Sequence, residues 1–390
     1  MKKTILATTV AGVLSAFATP AMAKIETSAG TANVDFRLRY EAVDQDNALK
    51  DASALTLRTK ANFKTKSANG FYGFVELENS LALIDDYNNT NGDGVGYSVV
   101  ADPETTEVDQ AYIGYKADKL DIKVGRQVIT MDNHRFVGHV GWRQDKQTFD
   151  AVTAAYSASE KLKLSYGYIN KRNRIFADEK DIDSKDHLLN AQLKTAAGTL
   201  TGYGYLLEVD NGTDNALDTF GVRFTGKASG FNYTAEAATQ TNESAGMEYD
   251  TTYLLLEGST VVKGLKLTAG YESLGSDNGV GFATPLATLH KFNGWADQFL
   301  GTPGVGLNDL YVGAAGKAAG GKWAVTFHSY SADESTDAVD DLGSEINAVY
   351  TTKVSGKYPV GVKLASYSAG DDAAGKVDTT KVWLWTGVSF

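Results

Sequence analysis

The chain carries nine arginines, all at or before position 223: Arg37, Arg39, Arg58, Arg126, Arg135, Arg143, Arg172, Arg174 and Arg223. A guanidinium stays charged at any working pH, and its planar fork matches a carboxylate through two parallel hydrogen bonds. Rings of such groups in an aqueous passage guide anions. The same arginines can equally brace a wall by pairing with Glu41, Glu76 and Glu78, and the sequence leaves both readings open. A second grouping, Asp132-x-His134, offers a carboxylate that could orient an imidazole for activating water, the chemistry of a surface barrel hydrolase. Against catalysis, none of His134, His139, His187, His290 or His328 has a serine two positions away, the strand-face spacing that a barrel phospholipase requires. No His-Glu-x-x-His spacing offers a transition-metal site either. Asn89, Asn91 and Asp93, with Gly94 sixth, imitate the first half of a calcium loop, but the twelfth position is Val100 rather than Glu. A complete site of that kind is excluded, and only loosely bound Ca²⁺ is left open. The expectation is no enzyme, no catalytic residue and no cofactor.

These side chains need a scaffold, and composition narrows the choice. The chain has 390 residues and no Cys, so it has no disulfides, no thiolate metal site and no Cys nucleophile. With 48 acidic against 37 basic residues and a net charge of -11, it lacks the positive surface on which nucleic-acid binding depends. Met1-Lys2-Lys3, the apolar run Ile5 to Ala18 and the small-x-small Ala21-Met22-Ala23 read as a secretory signal peptide over residues 1–23. A single barrel domain would then occupy 24–390. No later segment has the roughly 20 apolar residues of a membrane-spanning helix. If the exported chain re-enters a membrane, it must do so as strands.

The dominant period is two. Val34, Phe36, Leu38 and Tyr40 alternate with Asp35, Arg37, Arg39 and Glu41, and the same pattern recurs in residues 55–64, 162–168 and 265–272. About eighteen such segments are expected, near 31–43, 53–66, 71–84, 107–117, 120–129, 147–157, 161–171, 186–196, 199–209, 218–227, 230–241, 250–261, 264–273, 307–316, 321–331, 344–353, 359–368 and 379–390. Tight connections, such as 67–70 and 263–264, alternate with long ones at 85–106, 130–146, 172–185, 274–306, 332–343 and 369–378. Short turns on one rim, long loops on the other and an even strand number describe an all-β transmembrane antiparallel barrel of the Gram-negative outer membrane. Hydrocarbon tolerates strands only when the sheet closes on itself, because every backbone polar group must be paired.

A barrel of this size leaves an aqueous channel. Arg37, Arg39 and Arg58 fall on its polar face, Arg126 follows Gly125, where a bulge could turn it inward, and Arg135 and Arg143 belong to a loop long enough to enter the mouth. The acidic runs Asp85–Glu107, Asp178–Asp183 and Asp333–Asp341 are expected at the outer rim, where they could bridge lipopolysaccharide through divalent cations. Tyr and Trp near strand ends suit aromatic girdles. The final Val388-Ser389-Phe390 resembles the C-terminal signal read by the barrel insertion machinery, with Phe390 as its key residue.

Residues 122–153 carry a more specific pattern: Ile-Lys-Val-Gly-Arg-Gln, then Asp132-Asn133-His134-Arg135-Phe136-Val137-Gly138, Gly141-Trp142-Arg143-Gln144 and Thr148-Phe149-Asp150-Ala151-Val152. This stretch resembles the alginate export family of outer-membrane porins. The resemblance implies a monomeric 18-stranded barrel whose Arg-rich constriction passes a uronate polymer, with Arg126, Arg135 and Arg143 at or near it. The expected function is passive diffusion of small hydrophilic solutes, with a leaning toward carboxylated ones. Export of an anionic polysaccharide such as alginate is the alternative.

Overall fold

The computed structural model describes residues 25–390, so the expected signal peptide lies outside the described residues. Eighteen long strands form the wall. They are β1 (Gly30–Gln45), β2 (Ala52–Thr65), β3 (Phe71–Asp86), β4 (Thr105–Lys116), β5 (Leu120–Gln127), β6 (Thr148–Ser157), β7 (Leu162–Asn173), β8 (Ile182–Lys194), β9 (Gly198–Glu208), β10 (Ala216–Ala228), β11 (Phe231–Ser244), β12 (Met247–Val262), β13 (Leu265–Leu274), β14 (Leu307–Ala318), β15 (Gly321–Ser331), β16 (Asp341–Val354), β17 (Tyr358–Ser368) and β18 (Thr379–Ser389). Each pairs antiparallel with its sequence neighbour. β18 returns to β1 in a register running from Asp35↔Ser389 to Gln45↔Thr379, which closes the cylinder.

Alternation decides the faces. Leu77, Ile113, Val124, Phe220, Val222, Leu310, Val312 and Leu384 stand exposed on the outside, as a hydrocarbon surround requires. Arg39, Glu41, Arg58, Glu78, Asp186, Glu236, Glu272 and Glu345 are buried on the inside. Connections at one rim, such as 117–119 and 263–264, are tight, and the other rim carries 87–104, 128–147 and 275–306. Three connections on the loop rim, 46–51, 209–215 and 245–246, are also short.

The principal apolar core lies inside the barrel. Phe136 and Val137 of loop 128–147, and Phe282, Leu286, Trp295 and Phe299 of loop 275–306, pack against Tyr203, Tyr205, Tyr253, Tyr330, Tyr367 and Trp383 of the wall. The two loops are zipped together within the bore. Val137 and Leu286 form a parallel bridge, the Gly138 amide donates to the Leu286 carbonyl at 2.8 Å, and the Thr288 amide donates to the His134 carbonyl at 3.0 Å. Backbone this far from a rim must be paired or face water. The girdle expectation fails for most of the tryptophans: Trp142, Trp295, Trp383 and Trp385 meet inside the lumen.

Candidate functional site

Below the zipped loops lies a cavity of about 1840 Å³ that reaches the strand ends of the turn rim at Thr31, Lys64, Lys194, Lys322 and Lys353. Its wall carries eleven basic side chains: Arg37, Arg58, Lys60, Lys64, Lys146, Lys194, Arg223, Lys291, Lys322, Lys353 and Lys363. Among the described residues, only Asp35, Glu76 and Asp132 supply carboxylates to the same wall. The chain as a whole is acidic, but this space is strongly basic.

The nine arginines divide by what their forks hold. Arg37 donates to the carbonyls of Gly141 at 3.2 Å and Trp142 at 2.9 Å and to the side chain of Gln144 at 3.0 Å, seating loop 128–147 on β1. Arg39 meets Asp102 and the Trp142 carbonyl. Arg135, deep in the bore, donates to Glu272 at 2.7 Å, Thr284 at 3.1 Å and Asn293 at 3.1 Å, tying together both loops and β13. Arg143 lies 3.0 Å from Glu41 and 3.1 Å from Asp297. Arg172 grips Asp186 through two hydrogen bonds at 2.8 and 2.6 Å, Arg223 pairs with Glu236, and Arg58 pairs with Asp35 at 2.8 Å. Arg174 sits at the loop rim over the ring of Phe176. Arg126 does not turn inward. It shares the outward parity of exposed Val124, pairs with Asp150 at 2.8 Å and is absent from the cavity wall. Three of the nine, Arg37, Arg58 and Arg223, reach the cavity, and the others brace loops and wall.

The lysines supply most of the positive charge, and the reading centred on arginine passed over them. Lys60 and Lys64 on β2 and Lys363 on β17 lie at polar positions of alternating strands, a signal present in the sequence. Lys146 and Lys291 come from the aperiodic loops. Burial, then the nearby Arg223, brings the Lys291 ammonium down to about 8, so it titrates close to working pH. Burial and then Lys291 hold His134 down at about 4, and burial with His134 does the same for His139, so both imidazoles are neutral.

Lys363 marks the upper edge of the cavity. Its ammonium lies 4.0 Å from the ring centres of Trp142 and Trp295 and 2.6 Å from His290 Nε2. Trp142 stacks on His290 with centroids 5.2 Å apart. A neutral imidazole can accept at Nε2 from Lys363 and donate Nδ1–H to Asp297, 2.6 Å away. Burial opposes charge on Asp297, yet His290, Lys381 and Arg143 hold its carboxyl well below the usual range.

The geometry rejects the hydrolase pairing. The Asp132 carboxylate accepts from the Asn190 side chain at 2.9 Å and the Gln192 side chain at 3.2 Å, while His134 packs edge-on against His139. The calcium-like turn is self-contained: Asn89 Oδ1 accepts from the amides of Asn91 and Asp93, its own NH₂ donates to Asp93 at 2.8 Å, and the Asn91 side chain donates to the Phe176 carbonyl. Of the acids expected at the rim, Asp102 is instead buried, accepting from Arg39 and, at 2.8 Å, from the Gln144 amide.

A sequence model of the Alginate export family matches residues 29–253, more than half of the chain. The chain belongs to the Alginate export family. This member also shares its fold with solved porins. Acinetobacter baumannii OccAB1 superposes with a TM-score of 0.73 at 13% identity, covering 95% of this chain and 98% of that one. Pseudomonas aeruginosa OccK9 (OpdG) gives 0.69 at 15% identity, covering 93% and 99%. Pseudomonas aeruginosa OpdK, solved with vanillate, gives 0.69 at 12% identity, covering 92% and 99%. No curated protein sequence matches. The family member is a closed 18-stranded antiparallel barrel with the fold of outer-membrane porins, short turns on one rim and long loops on the other.

Proposed function

We propose that this barrel passes small carboxylated solutes by passive diffusion, and that its lumenal cations select them. The observation that carries this reading is the eleven-to-three excess of basic over acidic side chains around the cavity. In a narrow space with low-dielectric walls, such a lining concentrates anions. The acidic outer rim opposes this only locally, because its field decays over about 8 Å at physiological salt. OpdK, which shares the fold, was solved with a carboxylate, vanillate. In this reading Arg37, Arg58 and Arg223 guide the solute alongside the lysines, Arg39, Arg135, Arg143 and Arg172 hold the constricting loops and wall, and Arg126 and Arg174 act at the rim.

Passage of an anionic polymer, which the family's name suggests, would use the same charges but needs a wider path past loops 128–147 and 275–306. A monomer is part of this reading, and Phe390, paired with Val34 through both backbone groups, supports recognition by the insertion machinery as a strand end. No ion is assigned to Asn89, Asn91 and Asp93.

Liposome swelling tests the proposal with three solutes of equal size: a monocarboxylate, a neutral polyol and a primary amine. Faster entry of the carboxylate is expected. Equal rates would refute selection, and block of entry by alginate oligomers at low concentration would favour the polymer reading.

A further inference from the structure

Loop 128–147 meets the wall beside β3 and β4 in a cluster whose charges do not balance. Glu78 of β3, Asp109 of β4 and Asp145 of the loop each offer a carboxylate oxygen, and these oxygens all lie within 4.8 Å of one another. All three residues are 1% exposed. The β-bulge opposite Glu76 and Leu77 leaves Asp109 without a cross-strand partner, and its carboxylate meets Lys146 inside the lumen. Bulges of this kind often re-aim a side chain toward a site.

The second observation concerns hydrogen bonds. Both carboxylate oxygens of Asp145 are buried and accept none, and neither Glu78 Oε2 nor Asp109 Oδ1 accepts one. Lys146 is already committed, 2.6 Å from Glu76 and in contact with the other oxygen of Asp109, and lies 3.6 Å from Glu78. Arg58 is 4.0 Å from Glu78 but is engaged by Asp35. Lys146, with Lys60 and the Arg58 guanidinium farther off, therefore faces five carboxylates, Glu76, Glu78, Asp109, Asp145 and, beside Asp145, Glu107. None of these cations reaches Asp145 in an ion pair, and a desolvated carboxylate without one is strongly unfavourable.

We propose that Glu78, Asp109 and Asp145 bind one Ca²⁺ ion, which staples loop 128–147 to the barrel wall. Ca²⁺ takes six to eight hard oxygen ligands in flexible geometry. Two Ca–O bonds of about 2.3–2.6 Å allow ligand oxygens up to about 5 Å apart, which accommodates this triad. The remaining positions fall to water. The ion supplies the positive charge that Lys146 alone does not, and it fixes the loop that carries Arg135 and Arg143.

Calcium binding to the purified, detergent-solubilised barrel is measured by calorimetry, together with thermal unfolding in Ca²⁺ and in chelator, for wild type, Asp145→Asn and Glu78→Gln. Wild type is expected to bind one tight Ca²⁺ and to melt higher with it than in chelator. Both variants are expected to lose at least ten-fold in affinity for that ion, while Asp145→Asn, relieved of its repulsion, melts in chelator no lower than wild type does. Absence of a tight site in wild type, or calcium affinity unchanged in Asp145→Asn, would overturn the proposal. Weak binding that persists in both variants would be assigned to the acidic rim, and without the tight phase it counts against the site.

Discussion

A guanidinium buried against a carboxylate keeps its charge but loses its reach. Arg135 and Arg143 show this. Each is fully engaged by acids and amides of the wall and loops, so each acts as a brace. Free positive charge falls mostly to lysines such as Lys60 and Lys291, and this leads to a pH test. The Lys291 ammonium titrates at about 8. It is charged below that value and neutral above it, so anion preference should be highest on the acid side and fall as pH rises through about 8. Lys291→Gln should shrink that step, with selectivity measured as a function of pH. A step of unchanged size in the variant would assign the titration to other groups. The residue types were legible in part. Lys60, Lys64 and Lys363 stand at polar positions of alternating strands, where period two marks them as lumenal. The partner of Arg135 was not legible, because Glu272 lies 137 positions away and no local pattern joins them.

At the scale of elements, the strands were read almost to their ends, because a wall with lipid on one side and water on the other allows only one period. The expected segments 321–331 and 359–368 are observed as Gly321–Ser331 and Tyr358–Ser368. The loops carried no such signal. Their length suggested entry into the mouth, but the zipper between 128–147 and 275–306 depends on long-range contacts. Gly138 is a point of close approach between the loops. A Cβ there would lie 2.9 Å from His134 Cβ and 3.0 Å from the Thr288 amide nitrogen. Gly138→Val should pry the loops apart at a cost of about 1–3 kcal/mol, raising single-channel conductance and weakening selectivity while the barrel keeps its folded mobility on gels. Unchanged conductance would mean that these loops do not set the constriction.

The whole molecule separates its charges by place. Net charge is -11, and acids such as Asp85, Asp86, Asp337 and Asp340 concentrate on the loop rim, outside the bore. The inner space beneath the loops is basic. Apolar side chains cover the outside, and the closed ladder leaves no unpaired strand edge in lipid. In the proposed function this arrangement makes the barrel a filter in which the inner charge selects the solute. The most direct measurement is the zero-current potential of single channels in planar bilayers under a potassium chloride gradient, for wild type and Lys60→Glu. Anion selectivity in wild type that shifts toward cations in the variant is the predicted result. Cation selectivity that the substitution leaves unmoved, or no stepwise current at all, would contradict it.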